Sequence, residues 1–87
     1  MFIAYVIKNI KGKRYTGSTN NFEERLKIHN SLNKDKAKFH RTTYKKGPWF
    51  LYFKKEFKTR REALSFERFL KTGNGREWLN ERARLGE

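Results

Sequence analysis

Eighty-seven residues without a cysteine make one expected domain (1–87), near the lower size for folding unaided, and exclude disulfides and thiolate zinc sites. Twenty-two Lys and Arg against nine Asp and Glu give a net charge of +13. Such a field attracts polyanions, phosphate backbones above all, and a merely soluble surface rarely needs so large an imbalance. No apolar run is long enough to span a bilayer, and no segment pairs a long apolar face with a basic one, so no membrane partner is expected. The opening "MFIAYVI" lacks the charged start and cleavage site of a signal peptide, which makes the cytoplasm, nucleoid included, the expected compartment.

With seven Leu, four Ile and one Val, aliphatic side chains are scarce, so the fourteen aromatics must supply much of the core. Phe2 to Lys8 reads as a strand with apolar groups on both faces, which suits a central strand. "NIKGK", with Gly12 for the turn, leads into a second strand over Lys13 to Ser18, and the two form a hairpin. Thr19, Asn20 and Asn21 are all suitable N-caps, with Glu23 and Glu24 in the first turn of a helix running to Asn30.

Asn30 to Gly47 is a polar segment whose basic residues are Lys34, Lys36, Lys38, Arg41, Lys45 and Lys46, with His40 among them. So long a stretch inside a compact domain is expected to be functional or to hide a short helix, and its charge suits contact with nucleic acid. "PWFLYFKKEF" is the third strand. "TRRE" at Thr59 to Glu62 fits a capping box before a helix over Arg60 to Lys71. Gly73 is placed to end that helix, and Glu77 to Arg84 reads as a short last one. The sum is an α/β fold: a small three-stranded antiparallel sheet, the Phe2 strand central, flanked by helices. Tyr44, Trp49 and Tyr52 could stack on unpaired bases, although core packing is the commoner use of such rings.

Several polar groups do not suit so small a core. On a wheel with Ala63 at zero, Phe66 falls near 300°, Leu70 near 340°, Glu67 near 40° and Leu64 near 100°. A carboxylate in the middle of an apolar arc needs a cation or a metal beside it. On the first helix, Arg25 and His29 border the stripe made by Phe22 and Leu26. Arg25 suits either a structural pair with Glu67 or a phosphate. Tyr5 and Tyr15 share a face only in one hairpin register, with Tyr5 opposite Gly17 and Tyr15 opposite Ile7. That register is expected.

Taken in order, these motifs resemble the GIY-YIG nucleases, a superfamily that includes the incision subunit of nucleotide-excision repair and short stand-alone bacterial domains. The resemblance covers almost the whole chain: Ile3-Ala4-Tyr5 and Tyr15-Thr16-Gly17 match the two tyrosine motifs, "GSTNNFEERLKIHN" the arginine helix, and "TRREALSFERFLK" the glutamate helix. "KTGNGREWLN" is similar to the ending of stand-alone members. Two positions depart from the pattern: Ile3 stands where the family has glycine, and Thr16 where an aliphatic is usual. Neither position supplies a reacting group in the family, so the departures bear on rate more than on chemistry.

The resemblance implies a metal-dependent endonuclease acting on DNA with low base specificity, single-stranded or branched DNA and RNA remaining open as substrates. Tyr5 would be the general base, its pKa lowered by Arg25, with His29 accepting its proton. Tyr15 would orient water or a phosphate oxygen, Arg25 would stabilise phosphoryl charge, and Glu67 would hold Mg²⁺ (or Mn²⁺). Asn80, or alternatively Asn74, would match the family's C-terminal asparagine. The competing readings are a non-catalytic basic nucleic-acid-binding module and a small ribonucleoprotein core protein. Neither requires Tyr5, Tyr15, Arg25, His29 and Glu67 together.

Overall fold

The computed structural model of the chain describes residues 1–30 and 46–84. Strands β1 (Phe2–Asn9) and β2 (Arg14–Thr19) form an antiparallel hairpin, followed by α1 (Phe22–His29), β3 (Trp49–Phe57), α2 (Arg60–Leu70) and α3 (Gly73–Arg84). The sheet order is β2-β1-β3, and β3 also pairs antiparallel to β1, so the Phe2 strand is central as its two apolar faces require.

The hairpin turn is built around Asn9. Its Oδ1 accepts from the amides of Lys11 and Lys13 at 3.1 and 2.9 Å, and Gly12 takes the positive φ of 87°. Helix α1 is capped by Asn21, whose Oδ1 accepts from the Glu24 amide at 3.2 Å. Asn30, at the other end, fastens α1 to β3: its amide group donates to the Trp49 carbonyl at 3.0 Å and accepts from the Trp49 amide at 2.6 Å. In α2 the Thr59 hydroxyl accepts from the Glu62 amide at 3.2 Å and lies 2.9 Å from the Glu62 carboxylate, so the two ends of the capping box meet.

One element differs from the sequence expectation. Gly73 does not end a helix; it begins α3, four residues earlier than the expected start at Glu77. The Thr72 hydroxyl accepts from the Gly75 amide at 3.0 Å, and its carbonyl accepts from the Arg76 amide at 3.0 Å. Gly75 is buried against α2, and a Cβ there would lie 1.8 Å from the Phe69 carbonyl oxygen. The glycine serves a close helix approach rather than a break in the chain.

The two sheet faces carry separate cores. Val6, Leu70 and Leu79 pack with Tyr52, Phe53, Phe66, Phe69 and Trp78. Trp78 stands edge-on to Phe53 and Phe66 at ring separations of 5.6 and 5.5 Å. On the other face Tyr5 and Ile7 pack with Phe22 and Trp49, flanked by Ile3, Tyr15 and Leu26. Aromatic rings thus stand in for the missing aliphatics.

Candidate active site

Register decides whether the hairpin's two phenols can meet. Tyr5 pairs with Gly17 and Ile7 with Tyr15, which puts both tyrosines on the α1 face with ring centroids 6.5 Å apart. Gly17 is buried, and a Cβ there would stand 2.7 Å from the Tyr5 hydroxyl and 3.2 Å from the Tyr15 ring. The bare backbone at 17 is therefore what lets the Tyr5 ring lie across β2.

His29 comes down from the last turn of α1 between the two rings. It is 1 % exposed, and its Nε2 lies 2.7 Å from the Tyr5 hydroxyl. Its ring sits 4.8 Å from that of Tyr15 and 5.9 Å from that of Tyr5. Phe22, one helical face with His29, closes the cluster at 5.3 Å from Tyr5. His29 is thus fully inside the apolar stripe, where the sequence put it only at the border.

The Tyr5 phenol is held well above its ordinary value of 10.0. Burial is the main cause; Tyr15 adds to it, Arg25 pulls the other way, and Glu67 raises it further. Arg25 and Glu67 therefore both lie within electrostatic range of the Tyr5 hydroxyl. The sequence expectation was a phenol lowered by Arg25; burial in the core outweighs the guanidinium, and Tyr5 stays protonated.

Glu67 lies on the inward part of α2, its side chain only 16 % exposed. Its Oε2 accepts from the Lys71 ammonium at 2.8 Å, one helical turn on. Lys71 is thus a cation on Glu67, beside the arginine or metal that the sequence pointed to. Its spacing of four residues was the available signal.

Asn80 faces the end of β2, where its Oδ1 accepts from Arg14 Nη2 at 2.7 Å. Arg14 in turn lies over the Tyr52 ring at 4.9 Å, shared with Lys8 at 5.2 Å. Trp49 is buried in the core and not available for stacking. Lys46 is exposed, with its carbonyl accepting from the Asn9 side chain at 3.0 Å. A hydrogen bond from neighbouring Lys13 and its charge hold the Lys46 ammonium below its ordinary value, so two like charges gather here. Lys34, Lys36, Lys38, His40, Arg41, Tyr44 and Lys45 lie outside the described residues. No helix among the described residues is long and apolar enough to cross a membrane.

The profile of the GIY-YIG catalytic domain matches residues 1–80. A UPF0213 protein of Bacillus licheniformis is 34 % identical over 85 residues, covering 94 % of this chain and 82 % of that relative. A UPF0213 protein of Bacillus pumilus is 38 % identical over 68 residues, covering 78 % of this chain and 64 % of the relative. No solved structure matches. With the paired tyrosine strands, the α1 arginine and the α2 glutamate all inside the matched range, the chain belongs to the GIY-YIG family of nuclease domains.

Proposed function

We propose that the protein is a metal-dependent endonuclease that hydrolyses phosphodiester bonds in DNA with little base preference. The observation that carries this reading is the Tyr5–His29 contact of 2.7 Å, which sets a buried imidazole nitrogen where it can take the proton of a buried phenol. Tyr15 packs beside the same phenol, and Arg25 and Glu67 lie within electrostatic range of it.

The donor set suits Mg²⁺ or Mn²⁺. Glu67 offers one largely shielded carboxylate that already attracts a cation, the Lys71 ammonium. A hard divalent ion keeps most of its waters and needs one or two protein carboxylates plus the substrate phosphate. Among the described residues no cluster of three His, Cys, Asp or Glu competes for this role. Bound at Glu67, the cation would polarise the phosphate and neutralise charge on the leaving 3′ oxygen.

In this reading the nucleophile is water, and Tyr5 acts as a relay rather than as a phenolate. The phenol gives its proton to the lone pair of His29 Nε2 while taking one from the attacking water. The new P–O bond forms to that water as the P–O3′ bond breaks, leaving a 5′ phosphate and a 3′ hydroxyl that draws its proton from solvent. Tyr15 orients the water, and Arg25 stabilises the charge growing on the phosphoryl oxygens through paired guanidinium donors. Lys-rich surfaces contact phosphates rather than base edges, in keeping with low base specificity.

A second reading is a nucleic-acid-binding module in which Lys71 and Glu67 form a structural ion pair, and the Lys71–Glu67 contact itself favours it. One assay separates the two. Wild type and Glu67→Ala are incubated with labelled single-stranded and duplex DNA, in Mg²⁺ or EDTA. Cutting by wild type alone, and only with the metal, is expected. Binding without cutting by both proteins supports the module, and equal cutting by both overturns the nuclease.

A further inference from the structure

A cleft of about 440 Å³ opens on the α2–α3 side of the hairpin. Its floor is apolar, with Leu70 and Leu79, and its rim carries Arg14, Lys71, Arg76 and Asn80. Among the described residues no acidic side chain lines it. Lys71 lines it too, so the cleft borders the Glu67 ion pair, and Tyr15 of β2 is part of its lining.

Lys71 already has Glu67 as its counter-ion, but among the described residues no acid lines the cleft beside Arg14 and Arg76, so an anion between the two guanidinium groups would be balanced by both. Arg14 is held in place from two sides, by Asn80 at 2.7 Å and by the Tyr52 ring, so its guanidinium is fixed at the rim. Arg76 sits in the first turn of α3, where the positive end of the helix dipole adds to its field. The volume lies in the range of sites that take one small ligand, and it suits a single nucleotide. A duplex is far too wide to enter.

The geometry points to a subsite for one nucleotide of an unpaired strand, its phosphate between Arg14 and Arg76 and its base over Leu70 and Leu79. The inference rests on the nuclease reading and extends it, because the subsite adjoins Glu67 and would select single-stranded or flap-like substrates over blunt duplex. Lys71 joins the two sites: an ammonium released from Glu67 has the cleft's phosphate as its next partner.

The test measures binding, not cleavage. A labelled single-stranded oligothymidine and a blunt duplex are titrated in EDTA against wild type, Arg14→Gln, Arg76→Gln and Arg61→Gln across a range of salt. Arg61 is exposed on α2 and lines no part of the cleft, so it controls for the loss of one charge. Arg76→Gln and Arg14→Gln are expected to weaken the single-stranded probe about tenfold each and to flatten the log K against log salt slope by about 0.7. Arg61→Gln should change it less than twofold.

Equal weakening by all three variants overturns the subsite in favour of a diffuse field. Equal loss on the duplex overturns the assignment to an unpaired strand. Unchanged binding by both cleft variants, with Glu67→Ala inactive, removes the subsite and leaves the nuclease standing. Weakened binding with no metal-dependent cutting by wild type keeps the subsite and removes the nuclease. Circular dichroism of Arg14→Gln checks that the Tyr52 packing survives, and Arg76→Gln, exposed on α3, gives the same readout without that concern.

Discussion

The hydroxyl of Tyr5 and Nε2 of His29 lie 2.7 Å apart, both side chains 1 % exposed, across 24 residues of sequence. A buried pair of this kind leaves the survivor unsatisfied if one partner is removed, at a cost of about 1–3 kcal/mol. His29→Ala should therefore lower stability in urea by that amount and also create a cavity beside Tyr15. Tyr5→Phe keeps the ring packing and should cost less, while cleavage falls about a hundredfold or more, as loss of a positioned proton-transfer group does. A Tyr5→Phe protein with the wild-type rate would overturn the relay.

Burial also sets the pH response. The Tyr5 pKa is raised in the folded state, so above about pH 10 the unfolded chain loses this proton while the folded one keeps it. The unfolded state then binds fewer protons, and stability falls as pH rises. The contribution is complete below pH 10 and disappears toward the higher folded value. Thermal unfolding of wild type should thus fall more steeply above pH 10 than that of Tyr5→Phe. Parallel curves would mean that the phenol ionises normally.

What the sequence made legible was local or periodic. Alternation in β1 and the Tyr5–Gly17 opposition fixed the register, and the caps at Asn21 and Thr59 marked two helix starts. The start of α3 was not legible, because Gly75 is required by its approach to the Phe69 carbonyl, a tertiary fact hidden behind a residue that reads as a breaker. The Arg14–Asn80 bond joins residues 66 apart and has no local signal at all. Lys71 was visible at four residues from Glu67, but it fell at the expected helix end, where a cation suits the macrodipole without any partner. The sign of the Tyr5 shift depended on how deeply α1 covers the ring, which composition does not tell.

The Lys71–Glu67 pair predicts a competition. Lys71 is 55 % exposed, and half-exposed pairs of this type contribute at most about 1 kcal/mol, so a divalent cation can displace the ammonium. Removing the competitor by Lys71→Met should tighten Mn²⁺ binding by a few fold, read directly by calorimetry or electron paramagnetic resonance without substrate. Glu67→Gln should abolish that binding. Weaker Mn²⁺ binding in Lys71→Met would mean that Lys71 helps to build the site instead of guarding it.

Gly17 offers the sharpest steric test. An added Cβ would meet the Tyr5 hydroxyl at 2.7 Å, its ring at 2.9 Å and Tyr15 at 3.2 Å. Gly17 is paired in a regular ladder with Tyr5, so the β2 backbone has little freedom to give way, and the ring must. Gly17→Ala should push the phenol off His29 while leaving every reacting group in the chain. Its cleavage rate should approach that of Tyr5→Phe, with a stability loss of about 1–3 kcal/mol from overpacking. Combining Gly17→Ala with Tyr5→Phe, which deletes the atom in closest contact, should restore part of the stability but none of the activity. Additive losses of stability in the double variant would show that the methyl acts elsewhere, and that the bare backbone at 17 is not what holds the phenol in place.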